Sequence, residues 1–549
     1  MRSCEGKCRD QVDQESEAAK KDEKNEFTPA AAVQKLGGLE LRSSIVGKQC
    51  SLFEFQGASL LRAAKVATIL RKAGALLGTS ESSAETFELS SPVDHIDAFI
   101  SHNWSTPRAS KFLTLALHFN LTPALVVSYT TACLAFIFQA KGWLPCLDQL
   151  LGGEDWKCGL CCRLSGYASF LITLVAWPDF ASRVGLGGQS VFLDKVCIHQ
   201  TDVELQRKGI NALSAFIRYS SEMVVVYSDV YLEKLWTVYE VASFLTLHSA
   251  DRMHVLQVDT ARYFLKWFSL ALAHVIILTV IQIPSLAKML GSDNPTIAGL
   301  IRVSSIFILL LVPGARIFRQ QYLIRERMLE KVAAFTVADA RCSKEEDRAI
   351  VTHNIAEFMR CAEVSKDTCD SHALEALEAF DLVARMELVH VVNDAFGRSM
   401  FKLRYTLALF SLSTWTGLDE IACQLHSEGL ELQPRWLLLT ALRLCIYPLL
   451  FGPLMLAVIV RAVVCLQKVK CLHRWVKDLI AAGIGFVAAV VLFGIGDFLT
   501  SQGMSSDLHA ALFVVWAAVL LAVKVCIYWP TRHRTTNKIY MERTSLDLE

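Results

Sequence analysis

The amino-acid sequence predicts a multi-pass α-helical membrane protein that carries a cytosolic α/β domain with a parallel sheet. Three observations predict this fold class. Apolar residues make up 53% of the 549 residues and charged residues only 20%, against about 45–50% and about 25% in average soluble domains. The apolar residues are concentrated in long runs, and basic residues collect on one side of these runs. Between the N-terminal tail and the apolar run at 264–283, short apolar segments alternate with helical segments.

Six apolar runs approach or exceed the roughly 20 residues that a helix needs to cross a bilayer. Two shorter runs, at 163–178 and 405–418, bring the predicted number of spans to eight. If both are buried or interfacial helices instead, the number is six. The clear runs are 112–140, 264–283, 297–318, 436–464, 479–496 and 509–529.

The distribution of basic residues gives an orientation. With eight spans, the short flanking segments on one side hold 16 Lys and Arg in 49 residues, and the loops on the other side hold 4 in 58. Segments rich in Lys and Arg stay in the cytosol during insertion. Both termini are therefore predicted to be cytosolic.

The α/β domain is predicted from four short apolar segments separated by helical ones. Alternation of strands and helices is typical of a parallel sheet, and chemistry in such sheets lies at the carboxyl ends of the strands. Ser101, Asp194 and Ser228 fall at those ends. The predicted strands are 95–104, 190–195, 222–229 and 253–259, and the predicted helices are 203–219 and 231–247.

The first two spans interrupt this domain as a transmembrane hairpin. A hairpin that starts and ends in the cytosol lets both halves of the sheet meet. Upstream, SLFEF at 51–55 is a candidate extra strand, and the periodicity of 58–77 predicts an amphipathic helix. The predicted organisation is a disordered charged tail at 1–37, α/β parts at 38–111 and 183–262, transmembrane hairpins at 112–182 and 263–319, a cytosolic helical region at 320–402, a transmembrane bundle at 403–530 and a cytosolic tail at 531–549.

The ordered motifs of the α/β segments resemble those of a TIR domain, a flavodoxin-like signalling module. The resemblance covers residues 91–119 and 183–260, about a fifth of the chain, and the usual last helix and strand of a TIR domain do not follow. The matching segments are Asp97–Ser101 (first strand), Phe192–Asp194 with Gly209 and Ile210 (second strand and BB loop), Ser220 to Tyr231 (third strand and turn) and Trp236–Glu240 (the W-x-x-x-E stretch).

The resemblance implies two activities. TIR domains bind other TIR domains or self-associate, and some cleave the nicotinamide–ribose bond of NAD with the glutamate of the W-x-x-x-E helix. The matching glutamate is Glu240, so Glu240 is the candidate catalytic residue and NAD the candidate substrate. The candidate substrate-binding residues are Ser101, Asp194, Gly209, Ser228 and Trp236.

These observations favour a membrane protein that signals or acts as a scaffold through its TIR-like domain, with the lipid bilayer and other TIR-like domains as partners. One alternative is a membrane-tethered NAD glycohydrolase that uses Glu240. Another is a channel or transporter regulated by the soluble domain, in which Arg443 is the most notable cation within a span. A net charge of +1 excludes a globally basic nucleic-acid-binding protein.

The cysteines suggest one further site. Cys146, Cys158, Cys161 and Cys162 cluster in the first loop on the side away from the cytosol, where a disulfide among them is expected in an oxidising lumen, with its pairing open. A zinc site is not expected, because no histidine accompanies them at ligand spacing. Cys197 with His199 or His102 is a weaker alternative nucleophile pair.

Overall fold

A computed structural model gives the fold of the chain. It describes residues 52, 54–55, 57–79, 83–146, 159–291, 294–342, 345–361, 370–396, 400–428 and 434–528. The predicted tails at 1–37 and 531–549 and the predicted disulfide residue Cys158 lie outside the described residues.

Six helices of the described chain are long and apolar enough to cross a membrane, as in a multi-pass membrane protein. They coincide with the six clear apolar runs, although the first begins nine residues later than predicted. Their bounds are Leu121–Ala140, Val258–Val280, Thr296–Ala333, Pro434–Gln467, Arg474–Gly503 and Asp507–Tyr528.

The two shorter apolar runs lie in helices outside this set of six. Residues 163–178 belong to the 23-residue helix Cys161–Arg183, and residues 405–418 are divided between Leu403–Phe410 and Leu412–Glu428. These helices pack against Leu121–Ala140 and its neighbours. The length and apolarity of the described helices thus give six candidate spans, and the count of eight stays a prediction.

The sheet has six strands in the order β2-β1-β4-β3-β5-β6. The four predicted strands are all present as β3 to β6 and pair in parallel. β1 pairs antiparallel with β4 and with β2. The strands are β1 Arg62–Lys65, β2 Ser91–Pro92, β3 Ile96–His102, β4 Ser190–Phe192, β5 Ser220–Tyr227 and β6 Met253–Gln257.

Two corrections concern the segment before β2. The extra strand is β1, and the described residues of the predicted segment 51–55 are not part of a strand. Of the predicted helix 58–77, only Val66–Gly74 is α-helical. The small residues Ala63 and Ala64 are buried between neighbouring strands, 3% and 2% exposed. Pairing with β4 and β2 therefore outweighs the local helical periodicity.

The helices are numbered in chain order. Short 3₁₀ turns occur at Ala58–Leu60, Ala75–Leu77, Tyr231–Glu233 and Ala250–Arg252. Two π-helical turns, Ile306–Leu311 and Tyr447–Phe451, each join the α-helices on either side of them. The helices are α1 Val66–Gly74, α2 Ala84–Phe87, α3 Arg108–Phe119, α4 Leu121–Ala140, α5 Cys161–Arg183, α6 Asp194–Cys197, α7 Val203–Asn211, α8 Leu213–Arg218, α9 Leu235–Leu247, α10 Val258–Val280, α11 Pro284–Met289, α12 Pro295–Ser305, α13 Val312–Ala333, α14 Glu345–Cys361, α15 Asp370–Phe396, α16 Leu403–Phe410, α17 Leu412–Glu428, α18 Pro434–Ile446, α19 Gly452–Gln467, α20 Arg474–Gly503 and α21 Asp507–Tyr528.

Both faces of the sheet are buried, which explains the continuous apolar character of its strands. Successive side chains of a strand point to opposite faces. In β3, Phe99 stacks on Phe192 with ring centroids 4.5 Å apart, in the larger apolar core. Ala98 and Ile100 belong to a separate core, with α1 and α3.

The chain leaves the sheet for the apolar helices at two points. The hairpin of α4 and α5 is inserted between β3 with α3 and the neighbouring strand β4. After β6 the chain continues directly into α10. The helical region predicted at 320–402 contains the end of α13, α14 and α15. α14 and α15 pack against α9, and α15 also packs against β6.

Candidate functional site

Polar side chains meet at the carboxyl ends of the parallel strands. Ser101 is the last residue but one of β3, Asp194 begins α6 just after β4, and Glu240 lies on α9. α9 is buried along most of its length, and Glu240 is a half-buried carboxyl group on it. We call Ser101, Asp194, Tyr231 and Glu240 the Glu240 cluster.

A chain of hydrogen bonds connects three members of the cluster. The Ser101 hydroxyl donates to Glu240 Oε2 at 2.5 Å. Because the Ser101 proton is used in this bond, the Ser101 oxygen accepts from the Tyr231 hydroxyl. Tyr231 is held in place by the 3₁₀ turn after β5, where its N–H donates to the Ser228 carbonyl at 2.9 Å.

Burial changes the proton equilibria of the cluster. It raises the pKa of Glu240 to about 8, and the charge of Asp194 acts in the same direction, whereas the hydrogen bond from Ser101 opposes the increase. Burial also raises the pKa of Tyr231 well above its ordinary value. Near neutral pH, Tyr231 is therefore a donor, and Glu240 is mostly protonated but able to ionise.

Asp194 is held by donors from two directions. Its Oδ2 accepts from the Trp104 indole at 3.0 Å, and its Oδ1 accepts from the Lys195 backbone N–H at 2.7 Å. The Lys111 ammonium lies 4.7 Å from the centroid of the Trp104 ring, and burial lowers the pKa of Lys111 to about 8. The site thus combines two carboxyl groups with a buried amine.

Several buried polar atoms around the cluster have no hydrogen-bond partner among the described residues. Most buried polar atoms in folded proteins have one, so such a concentration calls for an explanation, such as a bound ligand or water. Burial lowers the pKa of His102 to about 4, which leaves its imidazole neutral. The atoms are His102 Nε2, Asn103 Nδ2, Lys111 Nζ and Ser228 Oγ.

Two predicted substrate-binding residues have other neighbours. A Cβ on Gly209 would lie 2.8 Å from Ile198 Cγ2, so this glycine allows α7 to approach the segment after α6. Trp236 donates from Nε1 to Asp347 Oδ2 of α14 at 3.0 Å. The structure thus brings Ser101, Asp194 and Glu240 together, and it places Gly209 and Trp236 in structural contacts.

Trp104 and Lys111 are site residues that were not predicted from the sequence. Trp104 follows β3 by two positions, so the rule that chemistry lies at strand ends would have included it. Lys111 lies on α3 and is fully buried. Its helical neighbours include Arg108, Thr114 and His118, so no local pattern predicted its burial.

The cysteines differ from the prediction. Cys146 forms a disulfide with Cys423 of α17, while Cys161 and Cys162 are free thiols. The expected disulfide within the cluster is therefore wrong for these described residues, because the partner comes from a distant helix. Cys197 is also unsuited to nucleophilic attack, since burial raises its pKa to about 12, and a thiolate is the reactive form.

Two arginines among the apolar helices have carboxylate partners. Arg163 donates from Nε to Asp419 Oδ2 at 2.7 Å and from Nη1 to Thr279 at 2.7 Å. Arg443 lies 3.5 Å from both Glu420 and Asp497. The arginine that the sequence suggested for a transport pathway therefore has carboxylate partners. Within the described ranges, no three His, Cys, Asp or Glu side chains converge as a metal site.

The Glu240 cluster can hold or transfer a proton next to a second carboxyl group, at the edge of the sheet where parallel α/β domains bind ligands. Comparisons with known proteins add no identity to this geometry: no family model, no curated protein and no solved structure matches the chain.

Proposed function

We propose that this chain is a membrane-anchored signalling or scaffold protein whose cytosolic TIR-like domain acts by self-association or by binding other TIR-like domains. The observation that carries the proposal is the continuous helix Thr296–Ala333. It begins among the apolar helices and ends against the turn that follows β5. A rigid helix that joins two parts of a protein can transmit a displacement from one to the other.

Polar contacts hold this helix at its middle and near its C-terminal end. Near the apolar helices, Arg319 makes a two-pronged ion pair with Asp478 of α20, at 2.7 and 3.0 Å. Near the sheet, Lys331 pairs with Glu233 at 2.9 Å. The backbone of Arg341 also exchanges hydrogen bonds with Glu233 and Leu235, at 2.7 and 3.0 Å.

An exposed apolar residue supports an assembly role for the domain. Val203 begins α7 and is 78% exposed, in the segment that resembles the BB loop. We expect Val203→Asp to weaken self-association while preserving the helix, because an acidic residue in the first turn of a helix is stabilising. Leu89, 43% exposed in the turn before β2, offers a matched control as Leu89→Asp.

The test uses two differently tagged copies of the full chain, co-expressed and purified in neutral detergent. The fraction of one copy that co-purifies with the other measures self-association. We expect Val203→Asp to reduce this fraction about tenfold, as truncating a central interface residue does, and Leu89→Asp to leave it unchanged. Equal values for the two variants would refute the assembly surface.

A second candidate function, NAD hydrolysis, is favoured by the hydrogen bond of 2.5 Å between Ser101 and Glu240. In this reaction water adds to the ribose carbon, nicotinamide leaves, and one proton is released. The ribose passes through an oxocarbenium-like state that a carboxylate stabilises. Glu240 in its ionised form would supply this charge, or would hold the ribose hydroxyls.

Nicotinamide release from NAD by the full chain in detergent tests this function. Because the carboxylate form is needed, activity should increase with pH through about 8, the pKa of Glu240. Glu240→Gln should abolish release, while Glu204→Gln, which changes an exposed carboxylate on α7, should not. Release that is equal in the two variants would exclude Glu240 as the catalytic residue.

A further inference from the structure

A second site lies at the opposite edge of the sheet, where the parallel strands begin. An open cleft of about 360 Å³ is found there, between the sheet and the ends of α3, α5 and α16. Its polar lining includes Arg404, His118, His254 and Gln189, and its apolar lining includes Trp177 and Leu186. Drug-sized ligands occupy clefts of this order of volume.

Arg404 is the principal cation of the cleft. Its side chain is exposed, and no carboxylate lies within ion-pair distance of it in the described part of the chain. The guanidinium donates to His118 Nδ1 at 2.7 Å and to the Tyr405 hydroxyl at 2.8 Å. A guanidinium has five N–H donors, so the remaining donors of Arg404 are available to a ligand.

His118 positions the guanidinium. Its Nδ1 accepts from Arg404, so the proton of the neutral ring is on Nε2 and points away from Arg404. Burial, the charge of Arg404 and smaller contributions from His254 and Lys402 lower the pKa of His118 well below its ordinary value, which keeps the ring neutral. The contact therefore orients Arg404, and an anion would accept from the remaining N–H groups of the guanidinium.

One carboxylate also faces the cleft. Glu222 pairs with His254 at 3.2 Å, and its side chain is 41% exposed. The negative charge of Glu222 opposes the binding of an anion, so a substitution that removes this charge should strengthen binding. Beside the cleft, the rim is apolar and exposed at Phe180 (54%), Val184 (51%) and Leu186 (58%).

We propose that this cleft binds a phosphate group through the Arg404 guanidinium, which His118 orients. Arginine recognises phosphate because its planar fork offers parallel N–H donors. The exposed apolar rim next to α4 and α5 fits the acyl chains of an anionic phospholipid, whose headgroup would bring the phosphate. A soluble phosphate ester would make the same polar contacts without using the rim.

The test is a native mass spectrometry titration of the full chain in neutral detergent. Dioleoyl phosphatidic acid is compared with dioleoyl phosphatidylcholine, and inorganic phosphate is added as a competitor. Arg404→Gln should weaken phosphatidic acid binding by at least about tenfold, the effect of one charge-assisted hydrogen bond. Glu222→Gln should strengthen it. Arg207→Gln, which removes an exposed arginine on α7, should leave it unchanged.

Preference for phosphatidic acid with these variant effects supports the proposal and identifies a lipid as the source. Displacement by millimolar inorganic phosphate, with no preference between the two lipids, supports the phosphate site with a soluble source. Equal binding of both lipids without competition, or equal effects of Arg404→Gln and Arg207→Gln, overturns the proposal. If Arg404→Gln does not fold, the gain expected for Glu222→Gln decides the result.

Discussion

The hydrogen bond from Ser101 to Glu240 predicts the direction in which a substitution of Ser101 changes the pKa of Glu240. It stabilises the ionised form of Glu240, so Ser101→Ala should raise the pKa of Glu240 above its value of about 8. A hydrogen bond to a charged group contributes about 1.5–3 kcal/mol, and one pKa unit corresponds to about 1.4 kcal/mol. The expected increase is therefore about one unit or more.

Asp194→Asn should move the same pKa in the opposite direction. The charge of Asp194 raises the pKa of Glu240, and asparagine removes this charge while keeping an oxygen that accepts from Trp104. The pKa should then decrease. Because the two substitutions change the pKa of Glu240 in opposite directions, they distinguish the effect of the hydrogen bond from that of the Asp194 charge. A general loosening of the site would change the pKa in the same direction in both variants.

Infrared difference spectroscopy over a pH titration measures this pKa from the protonated carboxyl band of the full chain. The band that disappears in Glu240→Gln belongs to Glu240. A titration midpoint near the ordinary value of 4.5, or a decrease of the pKa in Ser101→Ala, would refute the assignment of the network.

The same shift has a consequence for stability. The pKa of Glu240 is raised in the folded state, so the folded chain binds a proton that the unfolded chain loses above about 4.5. The wild type should lose stability relative to Glu240→Gln between about pH 4.5 and 8, by at most about 1.4 kcal/mol per pH unit. Above about pH 8 the difference should be constant.

Three further predictions concern the rest of the molecule. Asp419→Ala leaves a buried arginine without its carboxylate, so it should lower stability by about 3–5 kcal/mol, seen as a lower melting temperature in detergent; an equal effect of Arg207→Ala, at an exposed pair, would contradict this. Cys423→Ser should release Cys146 for alkylation in unreduced, denatured protein, as mass spectrometry would detect; an unchanged labelling pattern would exclude the disulfide. Gly209→Ala places a Cβ 2.8 Å from a neighbouring isoleucine and should cost about 1–3 kcal/mol in the same melting assay, whereas an unchanged melting temperature would show that the contact relaxes freely.

The strands that the sequence predicts well are those that the fold buries on both faces. β3 and β5 contain continuous apolar stretches at 98–100 and 223–227, because alternate residues there enter one of two cores. β1 could not be found in this way. Its four residues lie within a helical pattern, and only pairing with strands that are distant in the sequence makes them extended.

The part of the candidate site that lies at the strand ends could be predicted from the sequence. Ser101 follows from the position of β3, and the resemblance to a TIR domain indicated Glu240. Contacts between distant segments were not predictable. Asp347, the partner of Trp236, lies in the helical region 111 residues away, and Cys423 lies 277 residues from Cys146, so neither pairing leaves a local pattern.

The insertion of α4 and α5 between β3 and β4 has a consequence for the order of folding. β4 pairs with β3 at the centre of the sheet, yet the ribosome releases it only after the whole helical hairpin has been made. Domains usually fold as their segments emerge, but here β3 can pair with β4 only after the helical hairpin between them has been made. If both helices of the hairpin cross the membrane, as the sequence predicts, the sheet can close only when the second helix has returned the chain to the side of β3. Formation of the β3–β4 pair would then depend on the insertion of α4 and α5.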